Sequence, residues 1–215
     1  MGSIHAIPPG ARLKVLTVSA KVLVRAEDRA DVEIEPERRI EIDEEAGVMQ
    51  IRTRSTDLEI FVPEGMNVSV GTVSGDVTME GCFGTVKAAT VSGHVRIGDT
   101  EGDADVRSIS GHIEVGDCGG RCRANTKSGS IEIDRVASKV LAHTMSGKIE
   151  VGTAGLDDVE LKTISGKLTV RVDPGRSPRT RLRSLSGKVK SDCPEGGDFE
   201  IKASTISGNI EVQER

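Results

Sequence analysis

The sequence contains neither tryptophan nor tyrosine, and only three phenylalanines among its 215 residues. Platforms that bind single-stranded nucleic acids stack the bases on exposed aromatic rings, so no such platform can form here. Surfaces that stack sugars on tryptophan or tyrosine are excluded for the same reason. A core without large rings must be filled by Val, Ile, Leu and Ala, which suits thin layers of β-branched side chains.

Long apolar runs and excess positive charge are also missing. No stretch of about 18 apolar residues occurs, so the sequence predicts no membrane span. The formal net charge of −5 lacks the basic footprint of a nucleic-acid-binding protein. The N-terminus has no apolar segment typical of a signal peptide, and residues 1–10 are predicted to be disordered or a cloning remnant.

What the sequence has in abundance is a six-residue phrase that occurs eight times from residue 72, beginning with Thr72–Val77. Its serines follow one another at spacings of 18, 18, 18, 18, 19, 21 and 21 residues. Each Ser-Gly pair is predicted to form a chain corner, in which glycine supplies backbone freedom and serine bonds nearby peptide groups. The predicted corners are Ser74, Gly75, Ser92, Gly93, Ser110, Gly111, Ser128, Gly129, Ser146, Gly147, Ser165, Gly166, Ser186, Gly187, Ser207 and Gly208.

Short alternating segments such as Ile113–Val115 and Ala104–Val106 follow and precede these corners. Alternation of branched apolar and polar residues is the pattern of a half-buried strand. One unit is too small to bury its own apolar face, whereas stacked units pair each strand with its counterpart about 4.8 Å away. A β-sandwich would also have short strands, but not a phrase at fixed offset. The sequence therefore predicts an all-β fold, a single-chain β-solenoid (β-helix) of stacked 18–21-residue coils with an irregular N-terminal cap region.

The repeat continues towards the N-terminus in weaker form. Thr17–Val22 is the same phrase with Ala20 in place of glycine, and residues 25–54 are more charged and irregular. Terminal units of solenoids must cap the stack and are atypical. Residues 11–71 are accordingly predicted to be degenerate coils and a cap, continuous with a regular solenoid over residues 72–215.

The phrase T-V-S-G-D-V at 72–77, preceded by V-P-E-G-M-N-V-S-V at 62–70, resembles a bacterial β-strand-repeat family. That family is a domain of unknown function whose members carry the label "putative adhesin". The resemblance covers residues 15–212. It implies a β-helical fold and brings no catalytic residues with it.

A constant period allows residues at one offset to be stacked without coordinates. Along the chain, the residue after each Ser-Gly pair changes from acidic to histidine and then to lysine. Lys148, Lys167 and Lys188 are expected to form a ladder. Arg179, Arg181 and Arg183 alternate along one strand and are expected to share its outward face. These six residues are the predicted binding residues for an anionic partner, the alternative being a solvated face of no special role.

No cofactor or metal site is predicted. His94 and His112 follow Asp76 in a straight ladder, which does not converge on one ion. Cys82 and Cys118 are expected to share a core column with Thr100 and Val136. The two cysteines would lie two coils apart, which is too far for a disulfide. Eight equivalent serines cannot all be nucleophiles, and no nucleotide-binding loop or nucleophile elbow occurs. Free thiols favour the cytoplasm, or the cell surface or exterior if a signal has been removed.

The two ends of the sequence differ in charge. Residues 163–215 contain ten Lys and Arg against seven Asp and Glu, a net of +3, whereas residues 1–71 contain nine against thirteen, a net of −4. The last repeat is intact, so open strand edges are expected at the end of the stack, covered by another copy, by a removed segment or by terminal charges. The favoured function is a non-enzymatic scaffold or interaction module that self-associates through its ends as a homo-oligomer. The alternatives are an adhesin-like module that binds an anionic polymer or cell surface, an unidentified protein partner, and a β-helix enzyme that acts on polysaccharides.

Overall fold

The computed structural model describes residues 3–8, 10–36, 40–45, 47–153 and 158–215, and these form two β-sheets. Within the described ranges no helix reaches the length and apolarity needed to cross a membrane. The strands are β1 (Ser3–Ala6), β2 (Arg12–Thr17), β3 (Val22–Glu27), β4 (Asp31–Glu35), β5 (Glu41–Glu45), β6 (Val48–Thr53), β7 (Leu58–Pro63), β8 (Asn67–Gly71), β9 (Val77–Phe83), β10 (Val86–Ala89), β11 (Val95–Thr100) and β12 (Ala104–Arg107). They continue with β13 (Ile113–Cys118), β14 (Cys122–Asn125), β15 (Ile131–Val136), β16 (Val140–Ser146), β17 (Ile149–Thr153), β18 (Val159–Ser165), β19 (Leu168–Val172), β20 (Arg179–Ser186), β21 (Val189–Ser191), β22 (Glu200–Ser207) and β23 (Ile210–Glu214).

Each regular coil contributes one strand to each sheet. The first sheet has the order β1-β4-β7-β3-β9-β11-β13-β15-β17-β19-β23-β21, and the second β20-β22-β18-β16-β14-β12-β10-β8-β2-β6-β5. Pairing between regular coils is parallel and joins residues one repeat apart, such as Val95 with Ile113 and Ile113 with Ile131. The predicted β-solenoid is confirmed.

The core is a thin layer in which large and small side chains face one another. The first sheet contributes columns of branched residues, among them Ile113, Ile131 and Ile149, each at most 1 % exposed. The second sheet contributes smaller residues from its own inward columns, such as Ala124 and Ala142. This pairing of a bulky face with a small one explains how the chain builds a close-packed core without tryptophan or tyrosine.

The order of coils along the stack differs from their order in the sequence at both ends. At the N-terminal end, β2 and β3 lie inside the stack, between the later coil β6–β7 and the coil β8–β9. The outer positions belong to the antiparallel strands β1, β4 and β5. Within residues 11–71 the weak repeat at Thr17–Val22 is thus a regular inner coil, and the cap is formed by the irregular segment that follows it, together with β1.

The C-terminal end shows the same exchange. The last coil, β22–β23, pairs with β18–β19 on one side and with β20–β21 on the other. The intact final repeat therefore lies inside the stack, and the preceding repeat forms its end. The expectation that the last repeat leaves its own strand edges open is wrong for this reason.

The corner glycines are required by the close approach of neighbouring coils. At Gly129 the angle φ is +146°, and an added Cβ would lie 2.0 Å from the carbonyl oxygen of Gly111 in the preceding coil. The same collision recurs from coil to coil, beginning at Gly75, whose Cβ would meet the oxygen of Ala20 at 2.0 Å. In stack order, Ala20 is the first residue of this corner column, and no Ser-Gly corner precedes it whose carbonyl oxygen its Cβ would meet. This position explains why the repeat tolerates alanine there.

Two further expectations need correction. Ser3–Ala6 pairs with β4 as strand β1, so this part of residues 1–10 is not disordered. Cys82 does not share the core column of Cys118, because an irregularity between Ile97 and Asp99 shifts the register. Phe83 occupies that column instead and is fully buried, and Cys82 is displaced to a partly exposed position beside it.

Candidate functional site

The Ser-Gly corners form one straight column along the edge of the solenoid. Ser19 bridges to Ser74, and the pairing continues coil by coil to Ser146, Ser165, Ser207 and finally Ser186. The corner serines are exposed, and in three coils the buried threonine two residues earlier donates its hydroxyl to the serine carbonyl oxygen. The Thr144 hydroxyl, for example, donates to the Ser146 carbonyl oxygen at 3.2 Å.

The predicted ladder of three lysines is interrupted. Because the last coil is inserted, Asn209 lies between Lys167 and Lys188, and its Oδ1 accepts a hydrogen bond from the Lys188 backbone at 2.9 Å. Lys148 and Lys167 remain neighbours in adjacent coils. The structure thus brings two of the three lysines together and places the third one coil further away.

Acidic side chains of the neighbouring positions partly neutralise this row. The Lys148 ammonium contacts Glu150, whose carboxylate also contacts Arg171 and is only 4 % exposed. The Lys167 ammonium lies 2.5 Å from Glu211, which lowers the pKa of that carboxyl group. Among the described residues the Lys188 side chain has no ion-pair partner. The Lys167–Glu211 pair is partly exposed and contributes little stability, so Lys167 can exchange it for another anion, whereas the buried Glu150 holds Lys148 more firmly.

The imidazoles of the same row do not form a metal centre. The rings of His94 and His112 meet edge to face with centroids 6.3 Å apart, and His112 Nε2 lies 3.3 Å from Glu114. Asp76 uses its Oδ1 to accept a hydrogen bond from the His94 backbone. In the part of the chain that the structure describes, no three His, Cys, Asp or Glu side chains are arranged to hold a metal ion.

The three predicted arginines lie on the terminal strand of the second sheet. Arg179, Arg181 and Arg183 are exposed and alternate with partly buried residues along β20. Arg181 pairs across the sheet with Lys202, on the outward face, and its Nε lies 2.8 Å from Glu200. The three arginines share the outward face of β20, as expected, and β20 is the terminal strand of the second sheet.

The opposite edge of the same sheet is acidic. Strand β5 has the sequence EIDEE, and Glu41, Asp43 and Glu45 pair with the outward positions of β6. Glu44 lies in the inward position opposite buried Met49 and contacts His5 Nδ1 of β1 at 3.1 Å. The acidic end is therefore closed over the core by a polar pair.

The basic end covers its core only in part. Leu182 and Val189 pair with Ala203 and Ile210, which occupy buried inward columns. Val189 is nevertheless 45 % exposed, because no described coil lies beyond β20 and β21. The solenoid thus presents two unlike ends, one acidic with a polar closure and one basic with accessible apolar side chains.

A surface that the sequence analysis missed runs along the corner column. The residue between Thr or Ser and the Ser-Gly pair is apolar in eight of nine coils and exposed in each of them. We name these residues the apolar ridge; in stack order they are Val18, Val73, Val91, Ile109, Met145, Ile164, Ile206 and Leu185, with Lys127 between Ile109 and Met145. The signal was present in the repeat as a conspicuously apolar position next to an exposed serine.

Two buried cysteines contact each other inside the core. Cys118 and Cys122 share a hydrogen bond that lowers the pKa of Cys118 to about 6 and raises that of Cys122. Both thiols are free and at most 2 % exposed. Their burial removes them from any solvent-facing site.

The Toastrack DUF4097 family model matches residues 12–215, nearly the whole stack of coils. The chain belongs to this family. The match begins at β2 and leaves out only β1 among the strands, so the exchanged terminal coils fall within the family domain. No curated protein sequence gave a significant match.

Solved structures with the same fold include a "putative adhesin" from Bacteroides fragilis, with 12 % identity and a TM-score of 0.59 over 100 % of this chain and 96 % of that one. A "putative adhesin" from Parabacteroides distasonis is 12 % identical with a TM-score of 0.48 over 98 % and 96 % of the two chains. A "putative cell adhesion protein" from Clostridium sporogenes is 13 % identical with a TM-score of 0.27 over 100 % and 99 %. The first of these supports the fold.

Proposed function

We propose that this Toastrack DUF4097 chain is a non-enzymatic interaction module that self-associates end to end. The observation that supports the proposal is the opposite charge of the two edges of the second sheet. Arg179, Arg181 and Arg183 lie along one edge, and Glu41, Asp43 and Glu45 along the other. Edge strands are templates for pairing with another chain.

The strand directions suit this contact. Strand β5 is antiparallel to β6, and β6 is parallel to the strands that continue through the sheet to β20. Stacking the basic end of one copy on the acidic end of the next would pair β20 with β5 in antiparallel fashion. In such a pair, residues directly opposite each other interact, and opposite charges contribute about 0.2–1 kcal/mol each.

Charge also selects the type of assembly. Two basic ends facing each other would cover Leu182 and Val189 but would oppose arginine to arginine. A basic end on an acidic end covers the same apolar side chains without that repulsion. Such head-to-tail contacts do not close on themselves unless they form a ring, so the expected products are short filaments.

Paired charge reversals provide the test. The average molar mass of the wild-type protein, measured by light scattering, should increase with protein concentration. Assembly should weaken in high salt because the contact is electrostatic. Variants E41K/D43K/E45K and R179E/R181E/R183E should each be monomeric, since both ends of each then carry the same sign. An equimolar mixture should assemble again. Monomeric wild type at high concentration and low salt, or no recovery on mixing, would contradict the proposal.

A second candidate is an adhesin-like module that binds an anionic polymer along the basic row. It is supported by the adjacent Lys148 and Lys167, although Asn209 separates them from Lys188. Unchanged retention on a polyanion column after K148S/K167S/K188S would refute it. The adhesin descriptions of the structural neighbours favour a cell-surface or exterior location over the cytoplasm predicted from the thiols, and we propose that location.

A further inference from the structure

The apolar ridge is long, straight and exposed. Its side chains are between 42 % and 84 % exposed. Consecutive members belong to hydrogen-bonded coils, which lie about 4.8 Å apart, so nine positions span roughly 38 Å. Single exposed apolar residues are ordinary, but a contiguous patch of this length marks an interaction surface.

The fold itself does not require apolar residues at these positions. Lys127 occupies the ridge in the fifth coil, and the corner there keeps its pairing from Ser110 to Ser128 and from Ser128 to Ser146. A charged side chain is therefore compatible with the same backbone. The apolar character of the other eight positions needs a cause outside the solenoid core.

Cations flank the ridge on both sides. Two flanking rows contain the residue before each Thr or Ser, two positions from the ridge, and the residue after each Ser-Gly or Ser-Ala pair, three positions from it. With the ridge itself, these rows hold eight basic residues and a single acid, Asp76, in a chain of net charge −5. The basic residues are Lys21, Arg107, Lys127, Lys148, Lys162, Lys167, Arg183 and Lys188.

The acidic partners of these cations lie further from the ridge. Glu150 and Glu160 are each two residues along the strand from the lysine they contact, Lys148 and Lys162, on the side away from the corner. A surface approaching the corner would therefore meet apolar side chains first, cations next and carboxylates last.

We propose that the apolar ridge docks on the surface of an anionic lipid bilayer. Apolar side chains flanked by Lys and Arg are the pattern of segments that lie at the boundary of headgroups and acyl chains. The flanking cations would then meet lipid phosphates, to which clustered basic residues are attracted. A bilayer also offers a flat partner along the whole ridge.

Other occupants fit less well. A polyanion would use the cations but gain nothing from eight apolar side chains. A second copy packed ridge to ridge around a two-fold axis would place Lys127, the central position, against its own counterpart. The docking surface shares only Arg183 and Leu185 with the terminal strand proposed for self-association, and the variants below change neither, so either proposal can fail alone.

The test is sedimentation of the full chain with vesicles of phosphatidylcholine, with and without 30 % phosphatidylglycerol. Wild type should bind only the anionic vesicles. Variant I109S/M145S/I164S, which removes ridge contacts, and variant K127S/K162S/K167S, which removes flanking charge, should each weaken binding at least tenfold. The matched control K87S/R121S/K139S removes three cations away from the ridge and should bind within twofold of wild type.

Several results would overturn the proposal. One is no binding to anionic vesicles. Another is unchanged vesicle binding by the ridge variant I109S/M145S/I164S. If the wild type and this variant are also retained equally on a heparin column, the ligand is a soluble polyanion and not a bilayer. A third is a fall in the mass of the protein alone on substitution of the ridge, which would identify a second copy. If the triple serine variant fails to fold by circular dichroism, Ile109→Lys supplies the readout, since Lys127 shows that the corner accepts lysine.

Discussion

Replacing Gly129 by alanine tests whether the close stacking of corners is what fixes the Ser-Gly repeat. The added Cβ would lie 2.0 Å from the Gly111 carbonyl oxygen, a separation that real Cβ atoms essentially never show. The obstacle is backbone, which cannot rotate away as a side chain would. The two coils must separate locally by about 1 Å or more for the methyl group to fit.

The expected loss of stability has two parts. A non-glycine residue held in a backbone conformation of this kind costs about 1–3 kcal/mol. Separation of these two coils weakens the corner hydrogen bonds between them, from Gly111 N to Ser128 O at 3.1 Å and from Ser128 N to Ile109 O at 3.0 Å. These contribute about 0.5–1.5 kcal/mol each. We therefore expect Gly129→Ala to lower the free energy of unfolding by about 3–5 kcal/mol.

Gly175 provides the matched control. Its φ is +80°, and no atom lies within 4 Å of an added Cβ, so Gly175→Ala costs only the backbone strain, about 1–2 kcal/mol. Gly111 lies outside the left-handed range, yet its Cβ would meet Gly93 O at 1.9 Å, so Gly111→Ala isolates the collision. Urea unfolding measures all three. If Gly129→Ala and Gly111→Ala cost no more than Gly175→Ala, coil stacking is not the reason for the corner glycines.

Three further expectations follow from burial. Ile131→Ala should cost about 2–5 kcal/mol in urea unfolding because Ile131 is 1 % exposed, whereas Ile109→Ala on the ridge should stay within about 0.5 kcal/mol; equal losses would contradict the assigned core. Burial, and then the charge of Lys162, lower the pKa of His143 below 6.5. The unfolded chain therefore binds a proton more readily than the folded one, and the free energy of unfolding should fall as the pH drops below 6.5. In His143→Asn this part of the pH dependence should vanish, and a pH profile unchanged from wild type would refute the assignment to His143. Of Cys82 and Cys118, only partly exposed Cys82 should react with Ellman's reagent in the native state, and Cys118 only after unfolding; rapid native labelling of both would contradict the burial of Cys118.

The strands and corners of each repeat could be predicted from the sequence because both depend on residues that are neighbours along the chain. The columns of Ile113, Ile131 and Ile149 follow directly from a period of 18 residues once parallel stacking is assumed. The position of Cys82 could not be read in this way, because a register irregularity places Phe83 in its column. The apolar ridge is present in the sequence as a repeated apolar position, but only the structure shows that this position faces solvent.

By itself the sequence determined the fold class, the corners and the oppositely charged ends of the protein. Only the tertiary structure decided which coil lies next to which. Adjacent repeats offer nearly identical pairing surfaces, so local pattern cannot distinguish a final coil at the end of the stack from one inserted inside it. Long-range pairing of β22–β23 between β18–β19 and β20–β21 resolves this choice. It thereby interrupts the lysine ladder and exposes Arg179, Arg181 and Arg183 on a terminal strand.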